Sequence, residues 1–134
     1  MVSDNASTKI NFDTVEYDTV GLWDAGSPSR IVVQDGVAFI RFSFNVLFPA
    51  LAPAAGSSGR VGIWKNGASF SLSSTVHVGL NNSAADNTSA IQGVSPFLQV
   101  NKGDYFELVV KQVTGGNLTF GNGTVCWLAV ETRA

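Results

Sequence analysis

The chain is 134 residues long, 45% hydrophobic and 13% charged, with a formal net charge of −2 and a mean hydropathy of +0.19. That length suits one domain that buries roughly 68–70% of the surface its unfolded chain would expose, so it needs no metal or disulfide staple. The eight basic residues are spread singly, which leaves no electrostatic footprint for a nucleic acid or an anionic membrane, and no apolar run approaches the ~20 residues of a membrane helix.

Cys126 is the single cysteine, so an intrachain disulfide is excluded and nothing points to an oxidising compartment. The opening MVSDNASTK has no basic stretch followed by an apolar one, hence no visible secretory signal. The expectation is folding in a cytoplasm, or a domain cut from something longer.

In chain order the sequence reads as all-β. Residues 1–8 form a short polar arm, and residues 9–134 one domain. Lys9 to Phe12 is a brief first strand, and a long connection through Asp18, Gly21, Asp24, Gly26 and Pro28 leads to a small strand at Arg30 to Val33. Asp35-Gly36 is a turn signal that launches a long strand from Val37 to Phe48. Pro49 to Gly59 reads as a loop. Arg60 to Lys65 and Ala68 to Ser74 flank Asn66-Gly67, the dipeptide suited to a two-residue type I′ hairpin because both central positions need positive φ.

Thr75 to Leu80 is a further strand, Asn81 to Ser89 a polar loop, and Ala90 to Val100 a strand broken near Pro96, the mark of an edge or bulge. Asn101 to Gly103 turns into a strand over Asp104 to Val113. Leu118 to Phe120 is short, and Asn122-Gly123 turns into a last strand over Val125 to Glu131. No segment has sustained helical periodicity, and there is no internal repeat. Eight to ten short strands with turns at this spacing argue for a two-sheet sandwich or jelly roll.

The stretches Gly36 to Phe48, Val100 to Val113 and Val125 to Glu131 are apolar on both faces. Along the middle one, Phe106, Leu108 and Val110 share one face while Tyr105 and Val109 share the other with Glu107. A sheet in a small soluble domain usually wets one face, so apolar residues on the second face require a cover. The expected cover is another copy of the chain.

Several pieces carry a resemblance: Asn11-Phe12, Asp18, Arg30-Ile31-Val32-Val33 with Gly36 and the aromatics Phe39, Phe42 and Phe44, then Ile63-Trp64-Lys65-Asn66-Gly67, and Val100 with Gly103-Asp104-Tyr105-Phe106-Glu107-Leu108. In this order and spacing, from about Ile10 to Val130, they resemble the globular head of the C1q/tumour-necrosis-factor jelly-roll superfamily. The resemblance implies a ten-stranded jelly roll in a tight homotrimer, with the three double-sided strands in the sheet around the three-fold axis. Trimer-interface candidates are Phe39, Tyr105, Val109 and Trp127.

The chain departs from the animal members: it has no collagen repeat, Ala38 stands where an aromatic is usual, and paired cysteines are missing. The richness in Ala, Ser, Asn and Gly, with a WKNG hairpin, looks more like the small jelly rolls on bacteriophage particles.

The search for chemistry is mostly negative. His77 is the only histidine, so one chain holds no His-based metal triad, and a structural or surface role is expected. Cys126 among Val125, Trp127 and Leu128 reads as a buried inert thiol. Asp13, Glu16, Asp18 and Asp24 form an oxygen-rich loop without the spacing of a known calcium loop. No His, Tyr or Arg clusters with the acids to suggest glycoside hydrolysis, and the Gly115 to Gly123 stretch lacks the lysine and helix of a phosphate cradle. No catalytic residue, metal or cofactor is expected. Trp127 is expected in the core or an interface, and Trp64 caps the sandwich end or touches a partner.

The expected function is therefore a non-enzymatic structural virion protein made in the host cytoplasm. It would be a homotrimeric capsid decoration that binds the major capsid protein, or another virion component, and stabilises a phage head. Contacts are expected through the arm, at Val2, Ser3, Asp4 and Asn5, and through Trp64. The alternative is a receptor- or glycan-binding tip of a fibre, with specificity in the loops Pro49 to Gly59 and Asn81 to Ser89.

Overall fold

A computed structural model describes residues 5–48, 58–69, 76–79, 89–113, 115–117 and 126–134. They form two antiparallel sheets packed as an all-β sandwich. In the larger sheet the central strand is β9 (Tyr105–Val113). One edge of β9 carries β1 (Thr8–Lys9) and β2 (Arg30–Val32), and the other carries β4 (Ser58–Lys65), which in turn pairs with β5 (Ala68–Ser69) and β6 (Val76–Gly79). In the smaller sheet β3 (Phe39–Phe48) is central, with β10 (Cys126–Arg133) on one side and β7 (Ser89–Val94) and β8 (Leu98–Gln99) on the other.

Alternation along the strands builds the core. Ile40, Phe42, Phe44, Val46 and Phe48 of β3 point inward and are buried, and Phe106, Leu108 and Val110 of β9 face them from the other sheet with Val61 and Ile63 of β4. Each such side chain stabilises the fold by about 1.5–3 kcal/mol on burial. The sheets meet at Phe42 and Phe106, whose rings lie 4.9 Å apart and tilted by 51°. Gly93 of β7 is the register partner of Phe44, and a Cβ there would lie 2.5 Å from the Phe44 ring, so the glycine is what lets that ring lie over the sheet.

The break expected near Pro96 falls between β7 and β8. There the Phe42 amide donates to Ser95 Oγ at 2.9 Å and the Ser95 amide to the Phe42 carbonyl at 2.8 Å, so the serine continues the β3 ladder where the proline interrupts it. At the Asn66-Gly67 turn both residues have positive φ, 52° and 85°, as the hairpin requires.

Two expectations change. The strand over Asp104 to Val113 does not share a sheet with the other two double-sided strands. Cys126–Arg133 pairs with β3 over eight residues, but β9 pairs with β4 over another eight and faces β3 across the sandwich. Alternation reports that both faces of a strand are covered; it does not report which strand lies beside which.

The middle of the second face of β9, moreover, is covered within one chain, with Val109 5% exposed and Glu107 only 1%, while Val113 on the same face stays open at 41%. Lys9, the register partner of Val109, reaches along that face to Glu107, so its stem lies over the row. The first strand is Thr8–Lys9, earlier than expected. Leu118 to Phe120 and most of the two long loops lie outside the described residues.

Candidate functional site

Since β3 turns its even-numbered residues inward, its odd-numbered ones form the outer face of the smaller sheet. Register brings Trp127 beside Asn45 and Gln92, Ala129 beside Ser43 and Val94, Glu131 beside Arg41, and Arg133 beside Phe39 and Gln99. Three large apolar residues on this face stay open to solvent: Phe39 at 40%, Trp127 at 44% and Val94 at 63%.

The polar residues between them are engaged with one another. Gln92 Nε2 donates to Asn45 Oδ1 at 2.9 Å, and Arg41 forms an ion pair with Glu131. Arg41 and Arg133 both lie over the ring of Phe97, 4.8 and 3.9 Å from its centroid. Small Ser43 and Ala129 sit mid-sheet between the Trp127 end and the Phe97 end. The face is apolar at intervals, and its Arg41 and Glu131 charges are paired with each other.

The four interface candidates do not come together. Phe39 and Trp127 share this outer face, separated by roughly 20 Å of strand at about 3.4 Å per residue. Tyr105 and Val109 belong to the outside of the other sheet, where Arg30 stacks on the Tyr105 ring at 4.2 Å. Trp127 is not a core residue. Of the contact candidates, Val2, Ser3 and Asp4 lie outside the described residues. Asn5 is tied to the far end of β9, its amide donating to the Gln112 carbonyl at 2.8 Å. Trp64 sits half-buried across the ladder from Glu107, about 17 Å along β9 from Asn5's anchor.

Two clusters missed by the sequence reading fix the larger sheet. Glu107, turned outward yet buried, meets Lys9 Nζ at 2.9 Å through Oε1 as an ion pair without hydrogen-bond geometry, and its Oε2 accepts from Ser29 Oγ at 2.7 Å. It pins both the arm and the turn before β2 to the sheet.

The second cluster is at the hairpin tip. The Asn66 amide donates to the Tyr105 carbonyl at 2.8 Å, its side-chain oxygen accepts from the Tyr105 amide at 2.9 Å, and its Nδ2 donates to Asp104 Oδ1 at 3.0 Å. Asp104 also binds Lys65 at 3.0 Å and accepts from the Asn101 amide. Partial burial would raise the Asp104 carboxyl pKa, but the Asn66, Asn101 and Lys65 contacts outweigh it and hold it below the usual range. The two quoted motifs around Asn66 and Asp104 are thus one clamp. Their separation along the sequence gives no sign of that contact.

The other chemical candidates find local roles. Asp18 accepts from the amides of Trp23 at 2.9 Å and Val20 at 3.3 Å. Slight burial pushes its carboxyl up, and those amides, with Leu22 and Gly21, more than reverse the push. Asp24 accepts from the Gly26 amide at 2.9 Å. Burial raises the Cys126 thiol pKa, countered in part by a backbone hydrogen bond from Leu47, which disfavours the thiolate. His77 lies on β6, opposite Arg60 in the register. Among the described residues no group of three His, Cys, Asp or Glu is placed to hold a metal ion, and no helix is long and apolar enough to cross a membrane.

No known family model matches the chain, and no curated protein matches it significantly.

Proposed function

We propose that this protein is a non-enzymatic structural virion component: a homotrimer, built through the outer face of the smaller sheet, that binds and stabilises a phage head. The observation that carries the reading is the exposure of Phe39, Val94 and Trp127 on one face of the smaller sheet, spaced along it with small Ser43 and Ala129 and the Arg41–Glu131 pair between its ends. Large apolar side chains left exposed on one sheet face favour contact with another protein surface. The jelly-roll resemblance supports a three-fold arrangement, and the phage-like composition supports the virion setting. In this reading the interface candidates reduce to Phe39 and Trp127, joined by Val94; Tyr105 and Val109 support the fold of the subunit.

Light scattering at micromolar concentration tests the assembly, and co-sedimentation with purified heads tests the partner. A trimer that stays on heads and raises their heat resistance is expected. A lone protomer overturns the assembly. A trimer that binds whole cells and ignores heads replaces decoration with a fibre-tip role.

A further inference from the structure

The smaller sheet ends at β10. Among the described residues, β10 pairs with β3 on one side and with nothing on the other. Along that open edge runs a groove of about 1150 Å³ between β10 and the stretch from Thr8 to Val20. Its floor is apolar: Ile10, Phe12, Leu128 and Val130 pack on the core yet remain only partly buried.

The stretch that forms the far lip is held away from β10. The Phe12 amide donates to the Pro28 carbonyl at 3.0 Å, and Asp18 gathers the amides of Val20 and Trp23. Val15 and Tyr17, β-formers by type, are left exposed, Tyr17 at 84%. A strand whose outer edge has no strand partner among the described residues, beside a partly wet apolar slot, is a template for one more strand.

Charge narrows the choice of occupant. The lip carries Asp13, Glu16 and Asp18, while the one cation among the described lining residues, Lys9, is already paired with Glu107. A second copy is a poor match. Its own exposed stretch bears the same three carboxylates, and its β10 carries Glu131 against Arg133, with no net positive charge to offer.

We propose that this edge takes up an extended arm of the virion protein on which the domain sits, added to β10 as a fifth strand, with apolar side chains directed into the slot and Lys or Arg directed toward the acidic lip. The proposal rests on the adhesive role argued above and names how the partner is held.

The test uses the full chain and an eight-residue synthetic peptide alternating valine and lysine. Saturable binding is expected, with slowed hydrogen exchange at the β10 amides that do not point to β3. Replacing the peptide's lysines by glutamate should weaken binding at least tenfold, as should adding 0.5 M salt, since the lip charges are solvent-exposed and screened. The variant D13N/E16Q alters exposed side chains only and should bind the lysine peptide several-fold less while keeping the same unfolding midpoint.

Equal binding of the glutamate peptide overturns the proposal. So does full protection of β10 in the free protein, which shows the edge already covered, or protection that grows with protein concentration alone, which makes the occupant a second copy. Light scattering on the same samples separates the two readings. A trimer that ignores the lysine peptide removes the strand site alone, whereas a peptide-binding monomer removes the trimer alone.

Discussion

Gly93 and Ser95 show how single atoms decide this fold. A methyl group at Gly93 would stand 2.5 Å from the Phe44 ring, and the nearest atoms belong to a buried aromatic in the middle of a sheet, with little room to move. Gly93→Ala should destabilise the protein by roughly 1–3 kcal/mol, as overpacking of a filled core does, read as a lower urea midpoint at unchanged m-value. Ser95 supplies the acceptor for a buried backbone N–H of β3. Ser95→Ala removes it and should cost roughly 1–3 kcal/mol, the penalty for an unsatisfied buried donor, while Ser95→Thr should recover part of the loss. Neither role is visible in the sequence, where both residues look like ordinary loop and strand-end formers; what gives them weight is the ring or amide opposite, a long-range fact.

Among the elements, the β4–β5 hairpin and the start of β9 behave as one unit because Asn66 and Asp104 join them. The Asp104 carboxyl is held below its unfolded value, so its contribution is fully present above about pH 4 and is lost as the pH falls through the depressed folded value. Acid unfolding followed between pH 5 and pH 2 should therefore be less steep in Asp104→Asn than in the parent, and Asn66→Ala should lower stability at neutral pH and reduce the same slope.

The hairpin was legible beforehand, since Asn-Gly between two apolar runs has one favoured turn, and so were the positions of β2, β3, β7, β9 and β10. Sheet membership was not. The alternation in Asp104 to Val113 is equally compatible with a place beside β3 or across from it, and the covering of Val109 by Lys9 depends on a two-residue strand at the other end of the sequence. The apolar outer face was half legible: Phe39 and Trp127 were singled out by size and strand position, but Val94 drew no notice, because its exposure follows from where β7 leaves β3.

For the whole molecule, the adhesive reading predicts that changes on the two outer faces differ in kind. Trp127→Glu and Val94→Asp lie on exposed positions and should leave the unfolding midpoint of the protomer within about 0.5 kcal/mol, while shifting the assembly from trimer to monomer in sedimentation velocity. Lys9→Met does the opposite. It leaves the buried Glu107 carboxylate without its cation and should cost roughly 1–3 kcal/mol in folding, with the same oligomeric state in the fraction that remains folded. Loss of trimer in Lys9→Met at full stability, or a stable trimer in Trp127→Glu, would reverse the assignment of the two faces.

The Glu107 anchor carries one more implication. Because Lys9 and Ser29 close over that carboxylate and Asn5 is tied to Gln112, the stretch from Asn5 to Lys9 is part of the wall and not a tether hung from it. Cargo or a reporter joined ahead of Asn5 would therefore be attached beside the end of β9, where Asn5 is anchored. Shortening the chain past Lys9, by contrast, would open the wall itself, because the cover over Glu107 would go with it.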